Sequence, residues 1–368
     1  MKKIPILGIV LMAMLASCRQ VSTPPRPTIP LVYSVLADTT GAAGIAAGAG
    51  NSGADGSIAI IGEPADGILL AKHFVRADAM DNISGRPSRD SLADFAGETF
   101  DVLLDAVNAP YTASVSEQGL DSLREAAVAN ALFAWDSTCY RSATDSRPLL
   151  RKQRAKILVF TSSMQARYGL FDVDTLQQLA GGKSLLLSPV KLMLEKALDG
   201  GARNLAVWSS SAAREAGVWE AVFEEMETEG TATLTVLSTE KAVDIRTEFR
   251  DFLRQYRASG KSLDALLLDS YQVDAAPLQS EISIIRRAGS EEDRILDQLL
   301  SPSFFIVDPV STLVESTYAL LRSQHLFTHK IALPAVRYYE SETADDGEPI
   351  LVEAAASYVQ RAYVSDFN

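Results

Sequence analysis

From residue 57 onward the chain alternates between short apolar runs of strand length and longer stretches whose apolar residues recur every three or four positions. The runs are 58–61, 102–104, 157–160, 185–187, 205–208, 234–237, 266–268 and 304–307. Their length suits β-strands, and their lack of internal alternation predicts burial on both faces, as in a parallel sheet. Helical patterns fill the gaps. Residues 120–135 are alanine-rich and amphipathic, with Ser116 or Ser122 available as caps. Residues 190–198 stop at Gly200-Gly201, 212–229 stop at Gly230, and 243–258 stop at Gly260, each a good helix terminator. This alternation predicts a wound α/β fold.

Two segments share one layout. Residues 58–62 open the first half with strand, turn and helix, and 204–210 open the second half the same way. The expected architecture is therefore two wound α/β lobes with mostly parallel sheets and an inter-lobe crevice. The division is residues 57–180 for an N-terminal lobe and 181–340 for a second lobe, with the joint near 179–188. Residues 341–368 follow as an acidic loop (341–349) and a C-terminal helix (351–363). Residues 62–100 contain more loop than a minimal α/β unit needs. Ahead of the lobes, 31–37 fits a short strand, and the glycine- and alanine-rich stretch 41–56 fits a flexible linker.

The first 17 residues have the pattern of a leader. Lys2 and Lys3 precede a nearly unbroken apolar stretch from residue 4 to 13, and small residues follow at Leu15-Ala16-Ser17 before Cys18. The stretch is too short to span a bilayer of about 30 Å at ~1.5 Å per residue, and it reads as a secretory h-region. The Leu15-Ala16-Ser17-Cys18 ending resembles the lipobox of bacterial lipoproteins. That resemblance implies cleavage of 1–17, an acyl lipid (palmitate) on the Cys18 sulfur, and membrane lipid as a partner. Acyl chains contribute about 0.8 kcal/mol per buried CH₂, so several chains anchor firmly. Arg19 stands where some lipoproteins have an aspartate that retains them in the inner membrane, which implies the outer membrane of a Gram-negative envelope. The other reading is a plain signal peptide cleaved near Ala16. Residues 18–56 form the tether, opening with prolines 24, 25, 27 and 30, a density that favours an extended spacer.

Composition narrows the function classes. The 368 residues are 47% hydrophobic and 22% charged, which is ordinary for a globular chain. Acidic residues outnumber basic ones 47 to 34, a net charge of −13, and no basic run occurs. Such a chain gains nothing by neutralising phosphates, so no nucleic-acid partner is expected. The two cysteines cannot form a disulfide framework, and lipidation of Cys18 leaves Cys139 alone as a structural thiol. The 41–56 stretch lacks both the Gly-Lys-Ser/Thr ending and the Gly-x-Gly-x-x-Gly spacing of nucleotide loops, and no cofactor is expected. His325 and His329 have the i, i+4 spacing of a helical metal pair. They lack the companion glutamate, and the strand-like 331–333 follows closely, so no metal is expected.

In an open parallel sheet, ligands bind beyond the carboxyl ends of the strands. The residues there are Gly62-Glu63-Pro64, Asp105 to Asn108, Thr161-Ser162-Ser163, Ser209-Ser210-Ser211, Ser238-Thr239-Glu240, Asp269-Ser270-Tyr271 and Asp308-Pro309. From these, Asp105, Asn108, Ser162, Ser163, Ser209, Ser210 and Asp269 are the candidate donors and acceptors for a small polar ligand. Asp105 and Asp269 are also the candidate general bases. Each short polar residue is equally suited to cap the helix that follows it, at about 1 kcal/mol per cap. The polar stretch 81–90 carries Arg86 and Arg89. Arg86 is the candidate cation for an anionic ligand, and a solvated loop with local Asx turns is the alternative.

From residue 179 onward the order of features resembles the aspartate/glutamate racemase superfamily. The residues concerned are Ser184 to Pro189 with its helix, Gly201 to Ser210, Leu263 to Tyr271, and Phe305 to Pro309 with its helix. The resemblance implies two opposed thiols, one removing and one returning an α-proton. Their positions fall near Phe160-Thr161-Ser162 and near Asp269-Ser270, and neither has a cysteine. A serine hydroxyl is too weak a base to replace a thiolate without a positioned partner. The same pattern is similar to two-lobed periplasmic binding proteins. Three functions therefore stay open: ligand binding in the crevice, an enzyme using an aspartate base on a small acid or amide, and a non-catalytic assembly or adhesion subunit.

Overall fold

The computed structural model describes residues 27–49, 53–113, 117–227, 230–238 and 244–364. The leader, Cys18 and the first part of the tether lie outside them, as do Ser116, Thr239 and Glu240. Among the described residues no helix is long and apolar enough to cross a membrane.

The chain enters through α1 (Pro30–Ala37) and α2 (Ala42–Gly48), then runs β1 (Ser57–Gly62), α3 (Pro64–Arg76), β2 (Thr99–Leu104) and α4 (Glu117–Trp135). A small hairpin, β3 (Thr138–Cys139) and β4 (Leu150–Arg151), leads to β5 (Ala155–Phe160), α5 (Ser163–Ala180) and β6 (Leu185–Leu187). The second lobe is approached by α6 (Pro189–Asp199) and built from β7 (Asn204–Trp208), α7 (Ser211–Glu215), α8 (Val218–Met226), β8 (Thr233–Leu237), α9 (Ile245–Tyr256), β9 (Leu263–Leu268), α10 (Ala275–Arg286), α11 (Glu291–Asp297) and β10 (Leu300–Val307). Then α12 (Pro309–Ser323) leads to β11 (Ala335–Thr343), β12 (Pro349–Glu353) and α13 (Ala356–Val364).

Two sheets result. The larger has the order β12-β11-β2-β1-β5-β6, parallel except for the β11–β12 hairpin, and the smaller has the all-parallel order β10-β9-β7-β8. Every residue of β1, β2 and β5 is buried, because helices cover both faces of the larger sheet. In β1 the faces alternate: Ala59 and Ile61 pack with α1, α2, α4 and α5, while Ile58 and Ile60 pack with α3 and α12. In the smaller sheet, Leu205 and Val207 face α6 and α8, and Ala206 and Trp208 face α9 and α10. The fold class is the expected one: α/β, two lobes, mostly parallel.

The sheets do not follow the linear division at 180/181 and 340/341. β6 pairs with β5, and β11 adds to β2, so the chain crosses to the second lobe after β6 and returns after β10. A reading along the chain sees apolar runs but not which exposed strand edge they close.

Four local expectations are corrected. Residues 31–37 are helical: Pro30 at the first helical position presets φ, and Val32 and Val35, three apart, are the buried face. The 41–56 stretch contains α2, whose Ala46 and Ala47 are buried; its small residues permit close packing, since a Cβ on Gly44 would lie 2.1 Å from the Asp38 carbonyl oxygen. The pattern 212–229 is broken into α7 and α8 at Gly217, which has φ 62°. Residues 341–353 form the β11–β12 hairpin around a turn at Gly347 (φ 89°), and helix follows only from Ala356. His325 and His329 lie past the end of α12, and His325 has φ 54°, so they do not share a helical face.

Candidate functional site

The carboxyl ends of strands from both lobes converge on one cavity of about 740 Å³. From the first lobe it is lined by Glu63, Ala65 and Asp66 after β1, by Ala109 to Thr112 after β2, and by Thr161 to Met164 after β5. The second lobe contributes Ser210 after β7 and Asp269 to Gln272 after β9, and Tyr358 of α13 completes the wall. Within the first lobe, Gly62 lets the Thr161 side chain pack against the end of β1: a Cβ there would lie 1.8 Å from Thr161 Oγ1. Two hydrogen bonds fasten the lobes beside the cavity. Tyr271 donates its hydroxyl to the Thr161 carbonyl at 2.8 Å, and Ser163 Oγ donates to Asp269 at 3.2 Å.

Asp269 is the central polar group. Its Oδ2 accepts from Ser163 Oγ, from Ser209 Oγ at 2.5 Å and from Trp219 Nε1 at 2.9 Å. Among the described residues Oδ1 accepts no hydrogen bond, yet it is not a sealed orphan, because Asp269 lines the cavity. Protein surrounds the carboxyl on all other sides. That desolvation raises its pKa above the ordinary aspartate value, and the three donors oppose the rise without cancelling it. The result is a carboxyl group with one oxygen held fast and the other turned to the cleft.

Asp105 has a different role from the one expected. It is fully buried and absent from the cavity wall. Oδ1 accepts from Asn108 Nδ2 at 2.8 Å and Ser341 Oγ at 3.0 Å, and Oδ2 accepts from Tyr111 OH at 2.8 Å and Asn130 Nδ2 at 2.7 Å. Four donors saturate both oxygens, so the carboxylate organises the loop after β2 and is not a cleft base. The loop in turn presents Tyr111, whose backbone N–H donates to Glu63 Oε1 at 3.0 Å. Asn108 is exposed, and its amide is spent on Asp105.

The other expected residues divide similarly. Ser162 and Ser210 line the cavity while also capping α5 and α7, so both the ligand and cap readings of these serines apply. Ser163 and Ser209 are buried and committed to Asp269. Arg86 is exposed and not on the wall. It sits in the loop that follows the far end of α3, about 20 Å from the cleft by helix rise. That loop is closed by a Met80–Pro87 bridge and by Arg322 donating to the Ser84 carbonyl. The residues that sequence reasoning did not single out are Asp66, Tyr111, Trp219 and Tyr358. Asp66, Tyr111 and Tyr358 lie four or more residues past the preceding strand, and Trp219 lies within a helix, so none stands in the short polar stretches that directly follow the strands.

Cys139 is buried in β3, and burial pushes its thiol up to about 11. It is not part of the cavity wall. No cluster of three or more His, Cys, Asp or Glu side chains suited to a metal occurs among the described residues.

With this geometry in view, solved structures can be compared. A glutamate racemase from Francisella tularensis subsp. tularensis SCHU S4, solved with D-glutamate, superposes with a TM-score of 0.51 over 85% of this chain and 94% of its own, at 11% identity. Glutamate racemase isoform RacE1 from Bacillus anthracis gives 0.50 over 84% and 94%, also at 11% identity. The fold is the racemase fold. No protein-family model matches the sequence, and no curated protein matches it. The two stretches that the resemblance assigns to the thiols, Phe160-Thr161-Ser162 and Asp269-Ser270, contribute Thr161, Ser162, Asp269 and Ser270 to the same racemase-fold cleft. Hydroxyls and a carboxyl stand there, and the chain's two cysteines, Cys18 and Cys139, are at neither stretch.

Proposed function

We propose that this chain is a cell-envelope protein, anchored through lipid on Cys18, that binds a small polar ligand between its two lobes. The observation that supports this reading is the convergence of strand ends from both lobes on one cavity, with Asp269 Oδ1 turned into it. The anchor rests on the leader and lipobox-like ending, and Arg19 after Cys18 favours the outer membrane. Racemisation by two thiols is not proposed, because neither Phe160-Thr161-Ser162 nor Asp269-Ser270 contains a cysteine and none lines the cleft among the described residues.

The raised pKa and fixed Oδ2 of Asp269 favour a second reading, an enzyme that uses Oδ1 as general base on a small acid or amide. Thermal unfolding of the full chain in detergent, against amino acids, amines, dicarboxylates, sugars and nucleosides, tests the binding role. A ligand at about 100 times its Kd stabilises by about 2.7 kcal/mol, several degrees in Tm. One stabilising class supports the binding reading and selects the compounds for a turnover assay. A flat response across the panel, with cooperative unfolding, removes that reading in favour of an assembly or adhesion subunit.

A further inference from the structure

We propose that the end of the larger sheet opposite the cleft is a docking face for a phospholipid bilayer. This deepens the anchored reading above and rests on it for the choice of occupant. The face consists of two loops at the amino ends of the strands, 77–98 between α3 and β2 and 324–334 between α12 and β11. Among the described residues the three most exposed large apolar side chains all sit on these loops: Ile83 is 92% exposed, Leu333 85%, and Ile331 completely. Leu92 adds a fourth. One exposed isoleucine is ordinary, but four such side chains on two loops bonded to each other mark an interaction site. The loops are pinned, so the side chains cannot fold away. Arg322 donates to the carbonyls of Ile83 and Ser84 at 3.3 and 2.8 Å. The Gly97 N–H donates at 2.7 Å to the carbonyl of Ala332, which stands between Ile331 and Leu333. Beneath them lies the buried Lys156–Glu98 pair, with Lys156 donating to the Leu326 carbonyl and Glu98 accepting the Thr328 N–H.

The polar groups around these tips favour lipid over a purely apolar partner. Residues 76–98 and 322–334 hold five Lys and Arg and five carboxylates, a balance that the chain as a whole, at −13, does not have. The two signs also face opposite ways. Asp78, Asp81, Asp90, Asp94 and Glu98 are partly or fully buried, and each accepts a backbone N–H from within the two loops. Arg76 and Arg322 stand in the last turns of α3 and α12, where they answer the negative carboxyl ends of those helices. Arg86, Arg89 and Lys330 are exposed, each within three residues of an apolar tip. Protruding apolar side chains flanked by outward cations suit the headgroup layer: the first reach the acyl boundary and the second meet lipid phosphates.

The start of the described chain is placed to agree. Pro27 is fastened to Arg124, which also holds Asp172 of α5. From Asp172 to Ala180, the end of α5 on this same side of the sheet, is about 12 Å of helix rise. The tether from Arg19 to Arg26 spans up to about 29 Å, so a lipid on Cys18 and the two loops reach one bilayer together. Docked this way, the cleft opens away from the membrane.

The test uses the full chain carrying Cys18→Ser, so that no acyl chain contributes, with vesicles of phosphatidylethanolamine and phosphatidylglycerol. An environment-sensitive fluorophore is attached at Ile331→Cys or, as a control on the cleft side, at Val107→Cys; Cys139 is buried and escapes labelling. The probe at 331 is expected to shift to the blue when vesicles are added, and the probe at 107 is not. Arg86→Glu with Arg89→Glu, and Ile83→Ser with Leu333→Ser, are each expected to lower vesicle partitioning by about tenfold or more. Both probes unshifted, or equal partitioning in the parent and both double variants, overturns the docking face. A shift at 331 that grows with protein concentration and needs no vesicles overturns it too, since the occupant is then a second copy. Palmitate labelling of the parent reads the anchor separately. Its absence removes the anchored reading without altering these results, and an unshifted probe beside normal labelling removes the docking face alone.

Discussion

Ser163 Oγ lies 3.2 Å from Asp269 Oδ2, and that bond joins the start of α5 in one lobe to the end of β9 in the other. The two lobes also share a core in which Tyr111, Leu123 and Met164 of the first lobe pack with Val190 and Trp219. Trp219 then donates to the same Asp269 oxygen, so the cleft floor and the shared core are one structure. A change at Asp269 therefore reads out both lobe docking and cleft chemistry, and the two must be separated by what is measured.

Stability against pH makes that separation. Burial raises the Asp269 pKa, so the folded chain holds this proton to higher pH than the unfolded chain does. Its contribution is most favourable below the unfolded value near 3.8 and is lost as pH rises through the raised folded value. Asp269→Asn keeps a carbonyl oxygen to accept from Ser163, Ser209 and Trp219 and removes the buried charge. The variant is expected to be as stable as the parent or more so at neutral pH, by on the order of 1 kcal/mol, with the advantage vanishing in acid. Urea unfolding from pH 4 to 8 measures it, and a variant weakened at neutral pH would contradict this account.

Asp105 predicts the opposite behaviour. Its carboxylate accepts four hydrogen bonds, three of them from Tyr111, Asn130 and Ser341. Asp105→Ala leaves those donors facing a hole and should cost about 3 kcal/mol or more. Asp105→Asn should also be destabilising, because its amide would face donors on every side. Both variants should lower the urea midpoint with little change in slope. An Asp105→Asn protein as stable as the parent would show that the carboxylate is not holding the loop.

The entry of the chain depends on another buried pair. Arg124 Nε meets Asp172 Oδ2 at 2.7 Å, Asp172 Oδ1 accepts the Ile29 N–H at 3.1 Å, and Arg124 Nη2 donates to the Pro27 carbonyl at 2.7 Å. Both charged side chains are almost wholly buried. Arg124→Met leaves Asp172 uncompensated and should cost about 3 to 5 kcal/mol, while Asp172→Ala also strands the Ile29 N–H. In either variant α1 should become protease-sensitive before the rest of the chain unfolds. Limited proteolysis with mass mapping checks this, and cleavage scattered equally over the lobes would sink the idea.

How much of this was legible in the sequence depends on the kind of residue. The runs that became β1, β2, β5, β7 and β9 were visible because strands buried on both faces are largely continuous apolar sequence. By contrast, β6, β8 and β10 are only partly buried and were visible as short apolar clusters. β11 was not, since Arg337, Glu340 and Glu342 interrupt it and its faces are only half covered. The β11–β12 turn did carry a signal in Asp346-Gly347, which acidic composition obscured. Asp269 was found because it directly follows its strand. Asp105 follows one too, but position alone cannot tell a carboxylate that faces a cleft from one enclosed by four donors. Tyr358 reaches the cavity from a helix more than a hundred residues after Tyr111, a juxtaposition only the return of the chain to the first sheet creates.

The lipid anchor makes a prediction independent of the cleft. If Cys18 is acylated, the parent expressed in a Gram-negative host incorporates labelled palmitate, partitions into detergent and sediments with membranes. Cys18→Ser should lose all three while unfolding at the same Tm, because the described domain begins at Pro27 and is fastened by Arg124 and Asp172. Plain signal-peptidase cleavage near Ala16 would instead give an unlabelled protein with Ser17 or Cys18 close to its new N-terminus, and Cys18→Ser would change nothing. Ladder mass spectrometry of the mature N-terminus distinguishes the two directly. If Cys18 is acylated, the body stays near the membrane, since the eight residues from Arg19 to Arg26 span at most about 29 Å when fully extended. A cleft held that close would meet its ligand in the thin layer next to the bilayer. Adding about ten Gly/Ser residues after Gln20 should therefore leave in vitro binding unchanged, and any effect on function should appear only in cells.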